Sequence, residues 1–331
     1  MKSPLSISSS PFSVKDRLIV GVSGGSDSLA LLSLLRGQLP KAAERLVVAH
    51  VNYGLRGRAS DKDEDHLRQL CRREGVPFHR LTVKNFLRTA RTQKRSPQDL
   101  AREVRYRYFQ KLVQTQKAWG VAVGHHLEDQ AETILDRLLR GSGSRGLSGL
   151  RPVQTLKFGS QKTSLKVWRP LLSCSKAQLQ DHLKEKGITW REDRTNRQGK
   201  YRRNQIRQEV LPFLSRWNPS LSAALSRMGE VTAAEDAYLE SLMETVGQKL
   251  GSKWGKGQYS CQAGLFEKLP LALKRRWIRS VAERLSEKAR GFSFERIEEV
   301  LWLWEGRETG PRDMGFGLSA GRSQNRAFLR R

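Results

Sequence analysis

Residues 18–37 read LIVGVSGGSDSLALLSLLRG. A strand-like apolar run, Leu18 to Val22, passes through Ser-Gly-Gly-Ser-Asp-Ser directly into an apolar stretch with helical spacing. In an open α/β sheet the turn after the first strand lies beyond the strand ends, where ligands bind. Gly24 and Gly25 let backbone amides approach an anion, and Ser23, Ser26 and Ser28 add hydroxyls. The helix that follows points its positive end at the same place. The stretch therefore reads as a phosphate cradle, although a Gly-Ser turn after a strand is also an ordinary tight turn. It contains neither G-x-x-x-x-G-K-[ST] nor G-x-G-x-x-G. Asp27 is its odd member, because a bare carboxylate repels phosphate; a Mg²⁺ ion bridging Asp27 to phosphate oxygens removes that conflict.

Outward from the loop, short apolar runs alternate with amphipathic stretches. Strand-like runs are Arg17 to Val22, Arg45 to Asn52, Pro77 to Val83 and Gly120 to Gly124. Helix-like segments fall at about 26–37, 60–74, 97–118 and 128–140. This alternation predicts an α/β fold with a Rossmann-like open parallel sheet. Ser96-Pro97 marks one helix start, and Ser175 with Gln178 has capping-box spacing at another. Two segments interrupt the pattern. Lys84 to Arg95 carries five basic residues and no acidic one, and reads as a mobile basic loop. Gly141 to Gly149, GSGSRGLSG, reads as a flexible or backbone-ligating loop or a plain linker, ahead of a hairpin from about 152 to 170.

From about 216 the pattern changes to long helices: Ser222 to Leu250, Leu265 to Glu287 and Ser293 to Trp304, then a short Gly-rich, β-like tail from 310. The expected division is a catalytic α/β domain over 1–215, then a linker helix and a smaller, mainly helical C-terminal domain over 216–331. At 331 residues the chain is roughly two domains long.

The 61 Lys+Arg against 33 Asp+Glu give a formal charge of +28, which points first to a polyanionic partner, nucleic acid above all, with a merely well-solvated basic surface as the plain alternative. No run approaches the roughly 18 apolar residues of a membrane span, so no membrane role is expected. MKSPLSISSSPF lacks an apolar export signal and reads as a frayed tail, which implies a cytoplasmic protein. Cys71, Cys174 and Cys261 are widely spaced and never paired as C-x-x-C, which argues against a disulfide framework or a cysteine-bound metal and for buried, inert thiols.

On the fourth helix His125, Asp129 and Glu132 are spaced i, i+4, i+7 and share a face, while Leu127, Ile134, Leu135 and Leu138 lie on another and face the core. Such a cluster suits a divalent-metal hydrolase site or a solvated helix face, and the missing H-E-x-x-H and the adjacent nucleotide loop count against the first. Residues 191–209 carry seven Lys/Arg against three Asp/Glu with Tyr201 among them, as expected of an RNA-tracking surface or of a solvated charged helix.

The loop resembles the S-G-G-x-D-S loop of the PP-loop ATP pyrophosphatases, which cleave ATP between the α- and β-phosphates. Within that group the chain is similar to the tRNA(Ile)-lysidine synthetases. The resemblance rests on His50-Val51-Asn52-Tyr53-Gly54-Leu55-Arg56, Ala101-Arg102-x-x-Arg105-Tyr106, His125-His126-x-x-Asp129-Gln130-x-Glu132-Thr133, and Leu139-x-Gly141-Ser142-Gly143-x-x-Gly146-Leu147. Further matches are Arg169-Pro170-Leu171-Leu172, Glu192-Asp193 with Asn196, and Tyr201-x-Arg203-Asn204-x-Ile206-Arg207. Together they cover about 17–214, and the tail from Phe292 to Leu329 resembles that family's first C-terminal domain; longer members carry one more.

The resemblance implies ATP and Mg²⁺, free L-lysine, and an isoleucine tRNA with a CAU anticodon, whose wobble cytidine exchanges its C2 oxygen for the lysine ε-amine. It assigns ATP to Ser23, Gly24, Gly25, Ser26, Asp27 and Ser28, with His50 and Asn52, at the end of the second strand, approaching the nucleotide; a satisfied structural histidine is the plain alternative for His50. Arg105 would hold the cytidine or the α-phosphate, Asp129 would orient the cytidine or take a proton from lysine, and His125 and Glu132 would bind lysine or Mg²⁺. Tyr201, Arg202, Arg203 and Arg207 would contact tRNA. A PP-loop tRNA thiolase, another ATP pyrophosphatase and a non-catalytic RNA-binding protein are the alternatives; the cysteine spacing counts against the first and the charge against the second.

Overall fold

The computed structural model describes residues 5, 7–55, 57–157, 164–190, 202–286, 289, 292–308 and 310–331. Its elements run β1 (Arg17–Gly21), α1 (Ser26–Gln38), α2 (Ala42–Arg45), β2 (Leu46–Asn52), α3 (Arg58–Arg73), β3 (Phe78–Thr82), α4 (Phe86–Thr92), α5 (Pro97–Thr115), β4 (Ala118–Val123) and α6 (Leu127–Leu138). Then come α7 (Ser144–Leu147), β5 (Val153–Lys157), β6 (Ser164–Trp168), α8 (Lys176–Glu185), α9 (Arg202–Gln205), a π-type turn (Ile206–Val210) and α10 (Leu211–Ser215). The rest is α11 (Leu221–Lys249), β7 (Lys253–Gly255), β8 (Gln258–Gln262), α12 (Ala263–Glu267), α13 (Leu271–Leu285), α14 (Phe294–Trp304), β9 (Arg312–Gly315), β10 (Leu318–Ser323) and β11 (Arg326–Arg330). Contacts divide the chain into two compact units, Met1–Ala233 and Ala234–Arg331.

The first unit is built on a six-stranded sheet in the order β3-β2-β1-β4-β6-β5, parallel throughout except for β5, which pairs antiparallel with β6. Its central strands β1, β2 and β4 are largely buried on both faces, so they read as near-continuous apolar runs, whereas β3 and β5 at the edges are partly exposed. Alternate residues feed separate cores: Leu18, Val20 and Val48 pack with α1, α3 and α8 residues such as Leu31, Leu67 and Leu179. Ile19, Val47 and Ala49 pack instead with Tyr106, Phe109 and Leu112 of α5. β2 and β4 flank β1 on opposite sides, which makes the carboxyl end of β1 a topological switch point and opens a crevice there. The Ser23–Ser28 turn sits in that crevice.

Two close approaches shape the crevice. A Cβ on Gly21 would lie 2.7 Å from the Phe109 ring, and one on Gly124 would lie 2.8 Å from the Asp27 carbonyl oxygen. Glycine at 124 therefore lets the end of β4 close directly on the loop's backbone.

Several expectations change. Lys84 to Arg95 is not a mobile loop: it forms α4, anchored by Phe86 and Ala90, which are buried beside Leu100 and Tyr53. The period escapes notice because only these two apolar residues turn inward. The described part of the N-terminal tail is also packed. Leu5 and Ile7 lie against the core, the Ser8 amide donates to the Pro170 carbonyl at 3.2 Å, and Phe12 sits 5.4 Å from both Trp119 and Trp168. Gly141 to Gly149 contains the short helix α7, and Leu138, assigned to the core, is exposed at the end of α6. The hairpin is present as β5 and β6, and the Ser175–Gln178 capping box caps α8 with bonds of 2.8 and 3.2 Å.

The second unit carries its expected helices, with the 265–287 segment divided at Pro270 into α12 and α13. Its strands are more extensive than a tail: β7 and β8 join β9 to β11 in a five-stranded antiparallel sheet ordered β7-β8-β11-β10-β9. The core centres on Tyr259, whose hydroxyl accepts from Trp277 Nε1 at 2.7 Å and lies 2.9 Å from Ser252 Oγ. The Asp236 carboxylate is buried against Arg276 at 2.6 Å. All three cysteines are buried and free, and burial pushes the Cys71 thiol up to about 12. No helix among the described residues is long and apolar enough to cross a membrane.

Gly124→Ala forces its methyl into the Asp27 backbone, so it should destabilise the protein by about 1–3 kcal/mol, the range for overpacking. Urea unfolding measures this; an unchanged midpoint would mean that β4 and the loop can separate freely.

Candidate functional site

The loop is held by its own hydroxyls. The Val22 amide donates to the Ala49 carbonyl at 2.9 Å, continuing the strand pairing to the brink of the turn. Gly24 takes φ +91°, a region open to glycine, and Gly25 is the N-cap of α1. The Ser23 amide donates to Ser28 Oγ at 3.1 Å, and Ser28 Oγ donates to the Gly25 carbonyl at 3.0 Å. With Ser28 turned inward, the first turn of α1 faces the crevice. Ser26 Oγ donates to Asp27 Oδ1 at 2.8 Å.

His126, the residue before α6, joins this loop to that helix. Its Nδ1 is 2.8 Å from Glu128 Oε2, and its Nε2 is 3.6 Å from Asp27 Oδ2 and 3.5 Å from Asp129 Oδ2. The Asp129 carboxylate also accepts from the His126 amide at 3.1 Å, which caps the helix. Burial opposes charging this ring, but Asp27, Glu128 and Asp129 outweigh it and raise its pKa to about 10. At neutral pH the ring is therefore an imidazolium among three carboxylates. For Asp27, burial favours the neutral acid, yet the hydrogen bond and charge of His126 hold its pKa below the ordinary carboxylate value.

His125 lies one residue earlier and differs in kind. It precedes α6, so it is not part of the helical face assigned to it. Its Nδ1 accepts from Arg169 Nε at 3.2 Å. Burial, opposed by Asp129 and aided by Arg169, Arg203 and Arg105, pushes its pKa down to about 3.

Asp129 and Glu132 are buried, at 8% and 1% exposure, and meet arginines from further along the chain. Arg203 Nε donates to Glu132 at 3.1 Å and its Nη2 to Asp129 at 3.2 Å. Arg207 Nη2 donates to Asp129 and Glu132 at 3.0 Å each, and its Nε contacts Glu132 as well. The two arginines assigned to RNA thus close on the carboxylates of the site. Arg202 pairs instead with Asp136 at 3.3 Å, and Tyr201 lies outside the described residues, as do Arg56, Glu192, Asp193 and Asn196.

The other assigned residues fall as follows. His50 is buried and its Nδ1 is 2.8 Å from the Val22 carbonyl, so it braces the strand leading into the loop. Asn52 is buried and donates to Asp61 and Glu64 at 3.1 Å each, while its Oδ1 accepts from the Gly54 amide at 2.9 Å. These bonds tie the end of β2 to α3, where Glu64 also pairs with Arg68 and Arg80. Arg105, on α5, is half-buried, 5.7 Å from the Tyr106 ring centre and near enough to His125 to depress its pKa. From α6, Gln130 Oε1 accepts from the Leu150 amide at 2.6 Å, and Arg137 donates to the Gly146 and Gly149 carbonyls. The glycine-rich segment is thus fastened to the site helix.

Sequence reasoning missed His126 and Arg169. The adjacent pair His125-His126 was the available signal, but helical spacing drew attention to His125 alone. Among the described residues no group of three His, Cys, Asp or Glu is arranged to hold a metal. Asp27, with its side chain 34% exposed, fits a magnesium ion arriving with a nucleotide, since Mg²⁺ keeps waters and phosphate oxygens as most of its ligands. His125 Nδ1 and both Glu132 oxygens are already engaged by arginines.

Residues 4–214 match the family described as the PP-loop domain, and the chain belongs to that family. It is similar to curated proteins named tRNA(Ile)-lysidine synthase. One from Geobacter sulfurreducens is 33% identical over 86% of this chain and 58% of its own length. One from Geobacillus kaustophilus is 34% identical over 94% of this chain and 66% of its own length. The chain thus spans about three-fifths of the length of the relatives it matches. Among solved structures, the U34-tRNA thiolase NcsA from Methanococcus maripaludis, described with its [4Fe-4S] cluster, shares the fold with a TM-score of 0.51 at 18% identity, covering 65% of this chain and 71% of that one.

The folded-state pKa of His126 lies above the ordinary 6.5, so its stabilisation is complete below about pH 6.5 and is lost as pH rises through about 10. Urea unfolding of the wild type and His126→Asn should differ most at about pH 6, with the gap narrowing as pH rises and closing above about pH 10. A gap independent of pH would refute an imidazolium.

Proposed function

We propose that this chain uses ATP to activate the wobble cytidine of a CAU-anticodon isoleucine tRNA and joins free L-lysine to it, forming lysidine. The observation that carries this reading is the similarity, at 30–35% identity over most of the chain, to proteins named tRNA(Ile)-lysidine synthase. The geometry supports it: a phosphate-shaped loop and a pair of buried carboxylates are linked through one histidine. The formal charge of +28 suits an RNA partner. A tRNA substrate implies work in the cytoplasm.

Two substitutions make up the reaction. The cytidine C2 oxygen attacks the α-phosphorus of ATP and pyrophosphate leaves. The lysine ε-amine then attacks C2, its proton is lost, and AMP departs. Backbone amides at the start of α1 and the Ser23 and Ser26 hydroxyls hold the departing pyrophosphate. Asp27 would carry Mg²⁺ against the phosphate oxygens, which supplies charge neutralisation during phosphoryl transfer. Arg105 supplies a fork suited to an α-phosphate or a cytosine edge. Asp129 and Glu132 suit a cation, and Arg203 and Arg207 pair with them. A lysine ammonium would compete for the same oxygens, and Asp129 is placed to take its proton. Arg202, which is 47% exposed, remains available to an RNA phosphate at the expense of its pairing with Asp136.

Radiolabelled lysine should enter bulk tRNA in the presence of ATP and the purified chain. Asp129→Asn should lower single-turnover incorporation by on the order of 10²-fold, the scale of a general base. Label transfer that does not need lysine, or none at all, overturns the reading. Unchanged incorporation by Asp129→Asn overturns the role of that residue alone.

A further inference from the structure

Arg169 stands at the end of β6, outside every role assigned so far. Its residue is 1% exposed, among the most buried large side chains of the chain. Each arm of its guanidinium is engaged: Nη1 donates to the Arg151 carbonyl at 2.8 Å, Nη2 to Gln154 Oε1 at 3.1 Å, and Nε to His125 Nδ1 at 3.2 Å. Tyr106, itself buried, also hydrogen-bonds this side chain. The fork is thus fixed by a β5 residue, by the backbone before β5, and by an α5 tyrosine. Only the His125 contact leads towards the site.

A guanidinium has five N–H donors and no acceptor, so a nitrogen facing it must accept. In a neutral imidazole one ring nitrogen accepts and the other carries the proton. With Nδ1 accepting, the proton of His125 resides on Nε2. Among the charged groups acting on the ring, Asp129 favours protonation and Arg169, Arg203 and Arg105 oppose it, in a ring that is half-buried.

We propose that Arg169 is a positioning residue that locks His125 as the Nε2–H tautomer, so that His125 offers the reacting nucleotide a neutral hydrogen-bond donor and never acts as the general base. The use of that donor rests on the ATP-dependent reaction proposed above; the tautomer itself does not. Two adjacent histidines thereby take opposite parts, His126 as a fixed cation binding loop to helix and His125 as a neutral donor. The natural acceptor for Nε2–H is an oxygen of the α-phosphate or the cytidine C2 oxygen, where negative charge develops or shifts during adenylation.

The test begins with the unmodified chain labelled with ¹⁵N-histidine, so it does not depend on a variant that folds. Long-range ¹H–¹⁵N correlation between pH 5 and 9, with the ring assigned by its loss in His125→Gln, should show Nδ1 bare and Nε2 protonated throughout. A protonated Nδ1, a mixture of tautomers or a doubly protonated ring overturns the proposal. A double-mutant cycle then separates positioning from packing. Arg169→Gln should lower the rate of tRNA-dependent pyrophosphate release by on the order of 10²-fold, the scale of one lost donor, with the KM for ATP little changed. In the His125→Gln background, where the glutamine amide donates without tautomer control, the same change should cost less than about threefold. Equal costs in both backgrounds would make Arg169 purely structural and overturn its positioning role. If the wild type releases no pyrophosphate, the reaction proposed above fails while the nuclear magnetic resonance result still decides the tautomer.

Discussion

The site depends on one cation placed among three carboxylates. His126 sits where the end of β4 gives way to α6, and its ring bridges Asp27 of the loop to Glu128 and Asp129 of the helix. Without that charge, three anions would crowd a place meant to receive a fourth, the phosphate. With it, the first turn of α1 and the first turn of α6 can lie side by side with both positive helix ends turned to the same crevice. Gly124 completes the arrangement by removing the side chain that would hold them apart. The close approach and the ion cluster each require the other.

Much of the fold could be read from the residues, for a physical reason. A parallel strand buried on both faces is apolar along its whole length, and β1, β2 and β4 stand out for that. The turn chemistry of Ser23 to Ser28 and the capping box at Ser175 are local, so they survive in any tertiary context. Features set by distant partners were harder to read. α4 carries two inward residues in a basic stretch, and nothing in Lys84 to Arg95 announces the pocket formed by Tyr53 and Leu100 that receives them. Strands β7 and β8 are short, and β8 owes its place in the sheet to β11, more than sixty residues later.

The same distinction governs the site. Asp129 and Glu132 lie on one helical face as their spacing requires, whereas His125 precedes the helix and is held by Arg169 instead. Spacing arguments hold only inside the helix, and α6 begins two residues beyond His125. Arg203 and Arg207 were legible as cations but not as partners of Asp129 and Glu132, because some seventy residues separate them. Their i, i+4 spacing across the π-type turn brings both guanidinium groups to one pair of carboxylates. Arg169 belonged to a matching motif, yet no local rule connects it to a histidine forty-four positions earlier.

The burial of acidic groups bears on how this protein behaves among other molecules. Glu64, Asp129, Glu132 and Asp236 all turn inward to arginines. Each such pair cancels within the molecule, so the excess of positive charge is left on an exterior with fewer anions to break it up. Surfaces of that kind adhere to any polyanion at low ionic strength, cell debris and stray nucleic acid included, and release it as salt rises. The chain will therefore leave a lysate coated in nucleic acid unless it is washed at high salt, and ultraviolet absorbance ratios become a necessary check on any preparation before affinity is measured.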